Sequence, residues 1–235
     1  MKIKFFLQLI ILSFAFFWMQ GAFAEVNITK EEVFSWANKR GEELINALSE
    51  EDLTAKYQKL DSLFGEYVDS EYIARFAVGK YWPKFTPNEQ KQYQTLFRDY
   101  ILGLYKTYPL RINRSNISYR VYRVEIKDNN RAAASITINR RDVEESDPLK
   151  NIIIELEIKK DKGEKKLTDV KIAESSLLQV LRGKFYKILA QNDGEVSWFL
   201  EDLSAMVKSL KEQAILETNE FEDENIIRNE NEYIQ

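Results

Sequence analysis

The residues that most often do chemistry are missing from this chain: its 235 residues include no histidine and no cysteine. Histidine is the usual general base near neutral pH and the commonest metal ligand. Ser-His-Asp and Cys-His catalysis are therefore impossible, and a zinc site would have to be built from carboxylates alone. No thiol means no disulfide, so packing alone must hold the fold. There is no G-x-S-x-G elbow, phosphate loop or dinucleotide fingerprint, and nothing asks for a cofactor. What remains are carboxylates, hydroxyls and cations. Glu155 and Glu157, two apart on a strand, share one side as solvated charges. Ser176, after Glu174-Ser175 and before a helix, reads as a cap rather than a nucleophile. Asp69, Glu71 and Asp99 lie in aromatic-rich surroundings, where a buried Asp and Tyr could work as an acid–base pair. That enzyme reading stays open on the residues alone.

The elements that would position these groups begin with helices. Thr29 and Glu32 form a capping box, and Val33, Trp36, Ala37, Leu44, Ala47 and Leu48 recur at helical spacing. A second helix starts at about Asp52, with Leu53, Tyr57, Leu60, Leu63 and Phe64 on one face. A short third, Ser70 to Val78, presents Tyr72, Ile73, Phe76 and Ala77 and ends at Gly79. Thr86-Pro87-Asn88-Glu89 opens a fourth. Its apolar stripe of Tyr93, Leu96, Phe97, Tyr100, Ile101, Leu104, Tyr105 and Tyr108 runs to Pro109.

Four strands follow. Residues 117–126 alternate, then shift at Tyr122-Arg123, which reads as a bulge. Residues 131–140 turn Ala132, Ala134, Ile136 and Ile138 inward. Residues 151–159 do the same with Ile152, Ile154, Leu156 and Ile158. A turn at Asp161-Lys162-Gly163 leads to Leu167, Val170 and Ile172. Such strands make an antiparallel sheet with one wet face. Arg120, Arg131, Arg140, Arg141 and Lys159 lie on or near that face. Ser176 and Gln179 cap a helix with Leu177, Leu181, Phe185, Ile188 and Leu189 inside. After Asp193-Gly194, Val196, Phe199, Leu200, Leu203 and Val207 mark a last one. The class is α+β: a twisted four-stranded antiparallel sheet with helices packed on one face.

The ends differ from the middle. Lys2 and Lys4, the apolar run Phe5–Met19 and Ala22-Phe23-Ala24 read as a signal peptide, residues 1–24, cleaved after Ala24. The run is shorter than the roughly 20 residues a membrane span needs. No cysteine follows to carry a lipid anchor. The remainder is one domain, residues 25–210, with a tail, residues 211–235, holding eight acidic and two basic residues. That composition predicts a frayed or disordered extension. Without signal and tail the chain carries equal numbers of basic and acidic residues, which argues against nucleic acid as a partner. Large apolar side chains are abundant, but periodicity cannot separate a filled core from a cavity.

Three runs then stand together: Asp69-x-x-Tyr72-x-x-Arg75-Phe76-x-x-Gly79-x-Tyr81-Trp82, Thr86-Pro87-x-x-Gln90, and Phe97-Arg98-Asp99-Tyr100-Ile101-x-x-x-Tyr105. With Leu167-Thr168-Asp169-Val170 and Ser176-Leu177, they resemble the MlaC family of periplasmic phospholipid shuttles, also called toluene-tolerance proteins. The resemblance covers about Val68 to Leu203. This chain departs from the family where Glu174-Ser175-Ser176 replaces the usual Gly-Val-Ser.

The resemblance implies an apolar lipid cavity between helices and sheet and no catalysis. It implies a monomeric carrier in the periplasm, exchanging phospholipid between an outer-membrane lipoprotein complex and an inner-membrane ABC-type transporter complex. The expected lining is Tyr72, Phe76, Phe97, Ile101, Leu104, Tyr105, Tyr108, Val124, Ile136, Ile138, Ile154, Leu156, Val170, Leu177, Leu181 and Phe185. Arg75 could meet a phosphate at the mouth or pair with Asp69 or Glu71. A carrier of another lipid, such as a hopanoid, and a pure interaction module with a filled core are the remaining readings.

Overall fold

A computed structural model describes residues 27–107 and 112–232, with side chains left aside at 217 and from 219 onward. The proposed signal peptide and Tyr108 lie outside the described residues. Helix α1 spans Lys30–Leu48, and its predicted capping box forms, Thr29 Oγ1 accepting from the Glu32 amide while the Glu32 carboxylate accepts from the Thr29 amide. Helix α2, Leu53–Tyr67, starts at the Asp52 cap. Helix α3, Ser70–Val78, starts at the Asp69 cap and runs into a 3-10 turn, Gly79–Lys84. Helix α4, Pro87–Lys106, opens on Thr86 and Glu89 as expected. Its C-cap is Thr107, whose amide bonds back to the Gly103 carbonyl.

Strands β1 (Ile117–Ile126), β2 (Arg131–Arg140), β3 (Asn151–Asp161), β4 (Glu164–Ile172) and β5 (Ser175–Ser176) form one antiparallel sheet in that order. The sheet therefore has five strands rather than four. The fifth pairs only Ser175 and Ser176 with Ile172 and Lys171, too short to show any alternation, and Ser176 doubles as the cap of the next helix. The expected bulge is present: Val121 faces Ile136 and Arg123 faces Ser135, leaving Tyr122 over. Helix α5 spans Leu177–Gln191 and α6 spans Val196–Glu232. The backbone of the acidic tail is thus helical as far as Glu232, where composition alone predicts fraying.

Two separate apolar cores result. One joins α3, the 3-10 turn, α4, α5 and α6 around Tyr93, Phe97, Phe185 and Phe199, whose rings meet edge-on or tilted at 5.7–6.3 Å, the spacing aromatic pairs prefer. The other lays α1 on the aliphatic face of the sheet, where Val33 and Ala37 meet Val121, Ala132, Ala134, Ile136 and Ile158. The helical group is tied to the sheet at β4. The Asp69 amide donates to the Leu167 carbonyl at 2.9 Å, and the Asp169 carboxylate accepts from the Leu178 amide at 3.0 Å and from Ser176 Oγ at 2.6 Å.

Candidate functional site

The expected lining residues fall into four settings. Phe97 and Phe185 are fully buried at the centre of the helical core, and Ile101 and Leu181 sit partly buried at its margin. Ile136 is buried in the sheet core, while Val124, Ile138, Ile154 and Leu156 are only partly covered there. Val170, their neighbour on β4, is also half-buried. Tyr72, Leu104 and Leu177 are 42%, 36% and 43% exposed. Tyr105 is held through its hydroxyl to the Asp61 carboxylate. The sequence-based set thus divides between two cores and does not form one cluster, though Tyr72 and Phe76 come together, ring centroids 6.1 Å apart.

The half-covered members are the informative ones. On the aliphatic face, α1 closes over the middle of β1 and β2 but leaves Val124, Ile126, Ile138, Ile154 and Leu156 partly open. Burying an aliphatic side chain fully is worth about 1.5–3 kcal/mol. A row of them left half-covered is apolar surface that packing within the chain has not used.

The polar groups nearby are tied down. Asp69 accepts from the Tyr72 amide as the α3 cap. Asp99 meets Lys211 at 2.8 Å. Asp61, between Tyr105 and Lys106, forms an Asp–Tyr pair of the kind an acid–base enzyme would use. Burial, and then the hydrogen bond to Asp61, push the Tyr105 hydroxyl well above the ordinary tyrosine range, away from neutral pH. Burial likewise raises Tyr93, whose hydroxyl donates to the Ala74 carbonyl at 2.8 Å. These contacts brace α4 against its neighbours and offer no poised proton donor. Among the described residues no group of three or more acidic side chains could hold a metal.

Of the cations expected on the sheet face, Arg131 meets Asp128, Arg140 meets Asp142, and Arg141 donates to the Ser115 carbonyl. Lys171 bridges Glu155 and Glu157 at 2.7 Å each, and Arg123 and Lys127 both pair with Glu125. Arg75 makes neither expected ion pair; it is exposed and stands 6.0 Å over the Trp82 ring. Sequence reasoning missed a second arginine, Arg182 of α5. Its guanidinium lies over Phe76 at 4.7 Å and over Tyr186 at 4.8 Å. The alternation of cations and rings in Gly79-Lys80-Tyr81-Trp82-Pro83-Lys84 is the local signal that points to the region; Arg182 joins it only in three dimensions.

A helical group tied at β4 to an antiparallel sheet, with apolar side chains left half-covered on that sheet, places this chain among α+β proteins. The chain belongs to the MlaC family: the family described as MlaC protein matches residues 39–209. Among solved structures it is similar to the phospholipid-binding protein from Ralstonia solanacearum, determined in complex with a phospholipid. That likeness has a TM-score of 0.64 at 16% identity and covers 76% of this chain and 98% of the other; at that identity it is a likeness of fold. No curated protein matches.

Proposed function

We propose that this protein binds a phospholipid and carries it through the aqueous space between two membranes, working in the periplasm after removal of residues 1–24. The observation that carries the reading is the partly covered row Val124, Ile138, Ile154 and Leu156, together with the exposed Tyr72, Leu104 and Leu177. Family membership and the phospholipid held by the Ralstonia protein support it. In this reading the acyl chains lie against these residues, with Phe76, Ile101, Tyr105, Val170 and Leu181 beside them. Phe97, Ile136 and Phe185 form the walls behind.

The physical need is plain. A 16-carbon chain exposed to water costs on the order of 12 kcal/mol at ~0.8 kcal/mol per methylene, so a lipid does not cross water alone at a useful rate. A carrier must match the burial a bilayer offers without exceeding it. An apolar lining does this without histidine, cysteine or metal. Exchange is then passive: lipid is taken from one membrane complex and handed to another, an outer-membrane lipoprotein complex and an inner-membrane ABC-type transporter complex being the partners proposed. Among the described residues no helix is long and apolar enough to cross a membrane.

Native mass spectrometry followed by lipid extraction tests this. The expected result is a one-to-one adduct that extracts as phospholipid. Delipidated protein that takes up no phospholipid from vesicles would overturn the proposal, and a sterol-like adduct would reassign the cargo.

A further inference from the structure

Arg182 is a half-buried guanidinium. Among the described residues no carboxylate comes within 4.0 Å of it; its two hydrogen bonds go to neutral acceptors, from Nη1 to the Phe76 carbonyl at 3.4 Å and from Nη2 to the Tyr186 hydroxyl at 2.9 Å. The same hydroxyl accepts from the Lys80 amide at 3.0 Å. Lys80 Nζ stands 5.2 Å over the Tyr81 ring and Lys84 Nζ 5.4 Å over it from its own position. Gly194, flanked by Asp193 and Glu195, lies beside Lys84. Three other covered cations, Arg140, Lys160 and Lys171, each meet a carboxylate.

The backbone is shaped around this group. Gly79 has φ +45°, and a Cβ there would overlap the Tyr186 hydroxyl and lie 2.9 Å from Arg182 Nη2. The chain thus admits Arg182 and Tyr186 against α3 only because residue 79 has no side chain. The guanidinium lies against two rings and is held by two hydrogen bonds, which restrains it and compensates part of its lost hydration. A planar fork so restrained, with N–H donors to spare and no carboxylate of the described residues beside it, suits bidentate recognition of a phosphate.

We propose that Arg182, supported by Lys80, holds the phosphodiester of the bound lipid at the mouth of the acyl-binding region. This rests on the phospholipid reading, since Phe76, under the guanidinium, and Leu181 next to it belong to the proposed lining. Arg182 thereby distinguishes a phospholipid from a neutral diacylglycerol with the same chains.

The test offers delipidated protein an equimolar mixture of dipalmitoylphosphatidylglycerol and dipalmitoylglycerol and reads the bound ratio by native mass spectrometry. The wild-type protein is expected to favour the phospholipid by about tenfold, the worth of one charge-assisted contact. Arg182→Gln should bring the ratio near one by lowering the phospholipid bound, and Arg182→Lys should keep part of the preference. Unchanged thermal unfolding of Arg182→Gln identifies a binding effect; if that variant unfolds, Arg182→Lys and Lys80→Gln decide, each expected to lower the ratio. No preference in the wild type, or a preference the variants keep, overturns the assignment. Inorganic phosphate bound without lipid discrimination would mean that the site takes the free ion instead. Wild-type protein that binds neither lipid overturns the phospholipid reading itself, and this assignment with it.

Discussion

Phe185 and Leu177 lie on one helix, both apolar, both on the stripe that periodicity turns inward. The first is completely buried among four aromatic rings, while the second is 43% exposed. The sequence reads both as inward because spacing reports direction, not what the direction meets. Direct substitution separates them. Phe185→Ala should lower unfolding free energy by about 3–5 kcal/mol, as expected for an aromatic deleted from a packed core. Leu177→Ala should change stability by no more than ~0.5 kcal/mol and instead reduce the lipid recovered with the protein; equal losses of stability would remove Leu177 from the proposed lining. Tyr119 behaves as a third kind of residue. Its hydroxyl donates to the Ala37 carbonyl at 2.6 Å, and burial, then the Glu42 charge, raise its pKa to about 12. The folded state keeps this proton where the unfolded chain, with a pKa near 10, gives it up. The stability it adds is therefore complete below about pH 10 and is lost as pH rises through about 12. Urea denaturation across that range should show Tyr119→Phe to be less stable by ~1 kcal/mol at pH 8, with a shallower alkaline decline than the wild type. The decline does not vanish, because Tyr93 and Tyr105 are raised too.

Element ends were the most legible part of the sequence, because a cap is a local event. Thr29 with Glu32 and Thr86 with Glu89 need only four residues each to satisfy the amides that a helix start leaves open, and both boxes form. The β5 pair and the 37-residue length of α6 were not legible, one being too short for a period and the other extending past the last apolar repeat. Close approaches between elements were invisible as well. Gly41 is mid-helix in α1, where alanine should be better by about 1 kcal/mol on propensity. A Cβ there would overlap the Tyr119 ring, and overpacking typically costs about 1–3 kcal/mol. Gly41→Ala should therefore destabilise the protein, and should become neutral or stabilising in a Tyr119→Ala background; a stabilising effect in the wild-type background would mean that the ring moves freely. At the β4–β5 turn, Ala173 and Glu174 have φ +48° and +67°, conformations that favour glycine. The family's usual glycine at this place is thus explained by backbone geometry. Glu174→Gly should raise the thermal midpoint, by about 0.5–1 kcal/mol of stability, and leave lipid binding unchanged.

Across the whole molecule, the order of helices, sheet and helices predicted the class correctly, while the division of the described residues into two cores was not legible in it. The helical core and the sheet core share no residue, and the joints between the helical group and the sheet run through β4, at Leu167 and Asp169. Each half is packed on its own, so the aliphatic residues at their margins depend on something else for cover. If that is the acyl chains of a phospholipid, ligand and fold stability are linked: a ligand at 100 times its Kd adds about 2.7 kcal/mol. For a domain of this size that corresponds to about 5–10 °C in Tm. Delipidated protein should melt that much lower than protein reloaded with phosphatidylglycerol. Hydrogen exchange should accelerate in the strands that carry Val124, Ile138 and Leu156, while amides around Tyr93 and Phe199 stay protected. A uniform acceleration would mean that the two cores open together, which their separate packing argues against. An unchanged midpoint and unchanged exchange across the reloading series would mean that the marginal residues are as well covered without lipid as with it, and the carrier reading would then lose its physical basis.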